Sequence, residues 1–138
     1  MDSKKLVKRL TYLILFIFSA HFLANKFYWY VSIWWFDMPM HFFGGFWIGL
    51  AALYFFGYKK EDSINFILKI LLSVLIVGIG WEVYEILVNT LMAENLFNYL
   101  DTISDISFDL SGGLFAILYF LRRIIFNEEN KVHPIVEL

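Results

Sequence analysis

Four long apolar stretches alternate with short polar ones along this chain. Residues 10–27, 38–58, 64–90 and 102–121 are almost wholly hydrophobic. Charges gather at the N-terminus, at Lys59-Lys60-Glu61-Asp62, and from Arg122 onward. A helix of about 20 apolar residues crosses the hydrocarbon core of a bilayer. The pattern therefore predicts an all-α fold: a polytopic transmembrane four-helix bundle, with residues 1–138 as one domain. The first apolar run carries no small-residue cleavage site of the signal-peptide kind and reads as a retained helix. The charged tail from Asn127 reads as mobile.

Within that frame the polar residues are not random. Asp37 and Pro39 suit a helix start, with proline in the first turn where a missing N–H costs nothing. Residues 28–36 are uncharged and densely aromatic, which reads as an interfacial belt lying flat at the headgroups. Gly45, Gly49 and Ala52 place small residues at near-helical spacing and predict close helix packing. Gly78, Glu82, Glu85 and Asn89 share one face of the third span. Asp105, Asp109, Gly112 and Ala116 share one face of the fourth at the same spacing. Between these spans, Leu96, Phe97 and Leu100 suggest a short amphipathic surface helix.

Charge asymmetry then orients the chain. Four spans put both termini on one side. Lys4, Lys5, Lys8, Arg9, Lys59, Lys60, Arg122, Arg123 and Lys131 fall on that side, and only Lys26 falls near the other. The positive-inside rule makes the basic side cytoplasmic, so the expected location is the cell (inner) membrane, multi-pass, with both ends cytoplasmic. Asp37 and His41 then begin the second span at the outer face. Glu82 and Glu85 lie toward the outer end of the third, and Asp101, Asp105 and Asp109 at the outer start of the fourth. At 1.5 Å per residue, His41 sits about 5 Å and Asp109 about 10 Å below its helix start, and Glu82 about 12 Å below its helix end. Three distant segments deliver polar groups to similar depths.

Carboxylates and imidazole are ligands for Mg²⁺, Mn²⁺, Zn²⁺ or Fe²⁺. Seven ionisable groups at one depth repel unless a cation or protons neutralise them, and helix bundles build metal sites from facing carboxylates and histidine. His41, Glu82, Asp105, Asp109 and Asp37 are the candidate metal ligands. Glu85 and Asp101 are the candidate general bases of a catalytic site. Plainer readings stand beside these. Asp37 and Asp101 also suit helix caps, Thr102 with Asp105 resembles a weak capping box, and Glu85 suits simple solvation. His21 reads as a histidine meeting the interface, and Trp47, Trp81 and Tyr84 as belt and packing residues.

Composition sharpens the picture in three places. The chain is 60% hydrophobic, above the roughly 45–50% of soluble domains. It has no cysteine, which excludes disulfides and thiolate metal sites. The net charge of −2 says nothing useful about nucleic acid, but the sequence has no basic stripe to hold one, so no nucleic-acid partner is expected.

The residues Asp37-x-x-x-His41-Phe42-x-Gly44-Gly45, Gly80-Trp81-Glu82-x-x-Glu85 and Asp101-Thr102-x-x-Asp105-x-x-x-Asp109-x-x-Gly112-Gly113 resemble the YjdF-like family of bacterial inner-membrane proteins. They are more distantly similar to VanZ-like membrane proteins. The resemblance covers about residues 37–121 and implies a small helical membrane protein with a polar cluster; it implies no activity. Two functions follow from the residues. One is a metal-dependent hydrolase or phosphatase acting on a lipid or lipid-linked substrate reached laterally from the bilayer. No Ser, Cys or Lys nucleophile stands in a recognisable setting, which disfavours covalent catalysis. The other is a non-enzymatic cation-binding or cation-transporting protein, alone or as a homo-oligomer, or a structural polar cluster tying helices together.

Overall fold

The computed structural model describes residues 3–57, 63–92 and 98–132, with side chains from 4 to 57, 64 to 91 and 98 to 122. Five helices follow one another: α1 (Ser3–Lys26), α2 (Trp29–Ser32), α3 (Asp37–Phe56), α4 (Ser63–Met92) and α5 (Tyr99–Val132). Among the described residues, four stretches are long and apolar enough to cross a membrane: Lys4–Lys26, Asp37–Phe56, Ile64–Leu91 and Tyr99–Arg122. The fold is thus an all-α multi-helix bundle of polytopic transmembrane type. Phe18, Phe22, Phe55, Leu87 and Leu118 are among many large apolar side chains left exposed. That is the expected surface where lipid, not water, is the surroundings.

The aromatic stretch bends rather than spans. Tyr28 takes a left-handed conformation (φ 58°) and turns the chain out of α1 into the single turn of α2. Trp29 and Tyr30 then pack edge-on against Phe36. Tyr28, Trp34 and Trp35 stay exposed, as aromatics at a membrane interface do.

The central contact is α3 on α5. They run parallel: Phe46 meets Phe115 and Tyr119, and Gly49 lies against Gly113 and Ala116. Missing side chains make this approach possible. A Cβ on Gly45 would overlap the Asp109 carbonyl, and one on Gly112 would overlap the Phe42 carbonyl. Both obstacles are backbone, which cannot swing aside. The spacing of Gly45, Gly49 and Gly112 thus sets how near the two helices come. Helix α4 packs antiparallel against both, with Val74 touching Gly113 and Phe66 near Phe120. Helix α1 rests on α3, where Phe16 meets Phe43 and Trp47 Nε1 donates a hydrogen bond of 2.9 Å to the Leu10 carbonyl.

The two ends of the bundle differ in chemistry. The end that holds the N-terminus of α1 has an apolar core of Leu6, Leu50, Leu53, Phe66, Ile70, Ala116, Ile117 and Phe120. Arg9 caps it, bonding Tyr119 Oη and lying 5.7 Å from that ring. The other end holds every buried polar side chain among the described residues: His41, Glu82, Asp105 and Asp109.

Several expectations fall beside the observed helices. Helix α5 passes Arg122-Arg123 and continues through Asn127 to Val132; residues 133–138 of the expected mobile tail lie outside the described residues. Lys59-Lys60-Glu61-Asp62, and Leu96 and Phe97 of the expected surface helix, also lie outside them. Leu100 sits in the first turn of α5 itself.

Candidate metal centre

Helix start points decide what the acids can do. Helix α3 begins at Asp37, with Phe36 in the cap position and no side-chain cap bond. Asp37 is therefore inside the helix, and a capping role does not hold it. Helix α5 begins at Tyr99, so Asp101, Thr102 and Asp105 all lie within it. The capping-box reading of Thr102 with Asp105 fails for the same reason: a box needs its hydroxyl residue ahead of the helix. Relieved of those tasks, Asp37 and Asp105 are free to face His41.

His41 is the hub. It is 6% exposed, one turn into α3. Its Nε2 lies 3.7 Å from Asp37 Oδ1 and 3.9 Å from Asp105 Oδ2. Its Nδ1 lies 3.5 Å from Asp109 Oδ2. The imidazole thus stands between two carboxylates on one ring nitrogen and a third on the other. Asp37 and His41 are one helical turn apart on α3, and Asp105 and Asp109 one turn apart on α5, so the parallel α3–α5 pair brings four polar groups face to face.

Helix α4 completes the centre. Glu82 is 5% exposed, and its Oε1 has no hydrogen-bond partner among the described residues. Thr102 of α5 faces the same carboxylate. Glu85, one turn on, is half-buried. Among the described residues, two sets that share His41 each bring their potential ligand atoms within 4.8 Å of one another: Asp37, His41 and Asp105 in one, His41, Glu82 and Glu85 in the other. This buried acidic and histidine cluster, drawn from three helices, can coordinate a metal ion. Asp101 is exposed and belongs to neither set. Asp109 also belongs to neither, since it meets the ring nitrogen opposite the one facing Asp37 and Asp105.

The family described as Predicted membrane protein (DUF2238) matches residues 3–125. The chain belongs to this family. The match does not extend to the narrower YjdF-like or VanZ-like naming. No curated protein and no solved structure matches the DUF2238 chain. What its centre does must therefore be argued from the geometry.

Three residues matter more than the sequence suggested. Gly78 and Gly44 make room for the Asp109 carboxylate; a Cβ on Gly78 would stand 2.6 Å from Oδ2, and one on Gly44 3.9 Å from Oδ1. Gly78 had a signal, because it shares the Glu82–Glu85 face. Tyr30 had none beyond its aromatic neighbours. Its hydroxyl lies 2.8 Å from His21 Nδ1. Burial first, then the nearby charges of Asp37 and Glu85, push its phenol up to about 12. His21 is engaged on both ring nitrogens, with Asn25 2.9 Å from Nε2. It is a strut for α2 rather than a free ligand.

Proposed function

We propose that this protein is a non-enzymatic cation-binding membrane protein, in which one divalent ion ties α3, α4 and α5 together. Asp37, His41, Asp105, Glu82 and Glu85 supply the ligand set. Asp109 holds the far ring nitrogen of His41, as carboxylates commonly orient metal-bound imidazoles. The observation that carries this reading is Glu82 Oε1, buried beside the histidine with no hydrogen-bond partner among the described residues. A buried carboxylate oxygen left unpaired is costly, and a cation satisfies it together with its acidic neighbours.

The same geometry weakens the other readings. A conduit needs polar groups through the whole bundle, whereas the far end is a packed apolar core. A hydrolase needs a base beside the ion that is not itself a ligand. Glu85 falls within a ligand set, and Asp101 is exposed and outside both. The YjdF-like likeness rests on these same residues and supports treating them as one unit. Lys4, Lys5, Lys8, Arg9 and Arg122 belong to helix ends opposite the cluster. By the positive-inside rule the centre then faces the extracytoplasmic side of an inner membrane.

Elemental analysis tests the reading. Detergent-purified wild type should carry close to one equivalent of a divalent metal, and Glu82→Ala less than a tenth of it. Equal metal content in the two proteins would overturn it.

A further inference from the structure

Helix α1 packs on α3 and α2, while α4 packs on α3 and α5. Between α1 and α4 lies a cavity of about 270 Å³. Its walls are apolar, with Ile14 and Ile17 of α1, Ile48 of α3 and Val77 of α4 among them. Its rim opens sideways: Phe18 is 66% exposed and Val77 and Trp81 are each 49% exposed. At one end it meets Asp37, His41 and Tyr30, with α2 held over that end by the Tyr30–His21 hydrogen bond.

The dimensions select one kind of occupant. Along α3 the lining runs from Asp37 to Ile48, a rise of about 16 Å at 1.5 Å per residue. That is one leaflet, half of a hydrocarbon core roughly 30 Å thick. The volume lies just under the roughly 300 Å³ at which cavities for drug-sized ligands begin, so it suits a single alkyl chain. The polar end adds a headgroup preference. Asp37 and His41 belong both to the cavity lining and to a three-residue ligand set. With one ligand atom from each of Asp37, His41, Asp105, Glu82 and Glu85, a cation of six or more ligands keeps at least one position open, and hard divalent cations fill such positions with water or phosphate oxygens.

We propose that this cavity binds one acyl chain of a phosphate-bearing bilayer lipid, whose phosphate oxygen completes, from the side of Asp37 and His41, the coordination of the cation held by Asp37, His41, Asp105, Glu82 and Glu85. The inference rests on the cation-binding reading. It also explains why the cation comes first: surrounding carboxylates repel a phosphate until an ion stands between them.

Native mass spectrometry of the detergent-solubilised full chain tests it, with dioleoylphosphatidylglycerol and dioleoylglycerol as probes and Mn²⁺ or EDTA present. In Mn²⁺ the wild type should retain one phosphatidylglycerol per chain, at least tenfold more than in EDTA and tenfold more than dioleoylglycerol. Val77→Trp fills the rim without touching the acids; it should lose retention tenfold while binding Mn²⁺ within twofold of wild type by calorimetry. Mn²⁺ bound with equal retention of the two lipids, or with no effect of EDTA, would show annular lipid only and sink this inference while the cation reading stands. Absence of Mn²⁺ binding by the wild type would bring down both. The wild-type comparisons decide the matter even if Val77→Trp does not fold.

Discussion

Replacing Gly78 by alanine puts a methyl group against the carboxylate that holds His41. The new Cβ would stand 2.6 Å from Asp109 Oδ2, about 0.8 Å short of the 3.4 Å at which ordinary contact begins. Asp109 cannot retreat as a whole, because its carbonyl is clasped at Gly45. Only its carboxylate can swing, and Oδ2 is the atom facing His41 Nδ1 at 3.5 Å. A shift approaching an ångström breaks that contact and frees the ring. Losing an outer partner of a ligating histidine costs about 10- to 100-fold in metal affinity, or roughly 1.4–2.7 kcal/mol. The helix itself changes the other way, since alanine is favoured over glycine in a helix interior by about 1 kcal/mol. Gly80→Ala isolates that second effect: it lies on the same helix, and a Cβ there meets nothing within 4 Å. Calorimetric titration with Mn²⁺, beside thermal melts, separates the two. Gly80→Ala should bind as wild type and melt slightly higher; Gly78→Ala should bind at least tenfold more weakly. Mn²⁺ affinity of Gly78→Ala within twofold of wild type would refute the claim that Asp109 positions His41.

Other outcomes follow from the same geometry. Gly112→Ala drives a Cβ into the Phe42 carbonyl, an overlap only helix separation relieves; it should cost at least the 1–3 kcal/mol typical of overpacking, read as a lower melting temperature. Asp101→Asn changes an exposed residue outside both ligand sets, so Mn²⁺ titration should give wild-type affinity, whereas Asp105→Asn should lose at least tenfold. With the metal removed by EDTA, Tyr30 should remain a neutral phenol past pH 10, ionising near 12. Because its folded pKa lies above the unfolded one, the stability it contributes is complete below pH 10 and gone above pH 12. Ultraviolet titration of wild type minus Tyr30→Phe reads this directly, and a difference midpoint at pH 10 would contradict the burial argument.

Much of the fold was legible because membrane burial writes itself as long apolar runs. The facing of acids was legible too, since Gly78–Glu82–Glu85 and Asp105–Asp109–Gly112 repeat at helical spacing and glycine marks close approach. Helix starts were harder to read. Asp37 looked like a cap because an acid ahead of a proline often is one, but the helix begins on it and turns it toward His41. The division of labour around His41 could not be read at all. Spacing places Asp105 and Asp109 on one face, yet which ring nitrogen each meets depends on the tertiary approach of α5 to α3. The lateral cavity was equally invisible, because it is walled by α1, α3 and α4 together, and no local pattern encodes a gap between helices distant in sequence.

A divalent cation among His41, Asp37, Asp105, Glu82 and Glu85 is what ties α3, α4 and α5 together in this proposal. Crystals grown with Mn²⁺ and measured at its absorption edge test it most directly. One strong anomalous peak is expected within bonding distance of a His41 ring nitrogen and at least two of those four carboxylates, lost in Glu82→Gln. Anomalous density only at exposed surface acids, or a peak at His41 unchanged in Glu82→Gln, would contradict it.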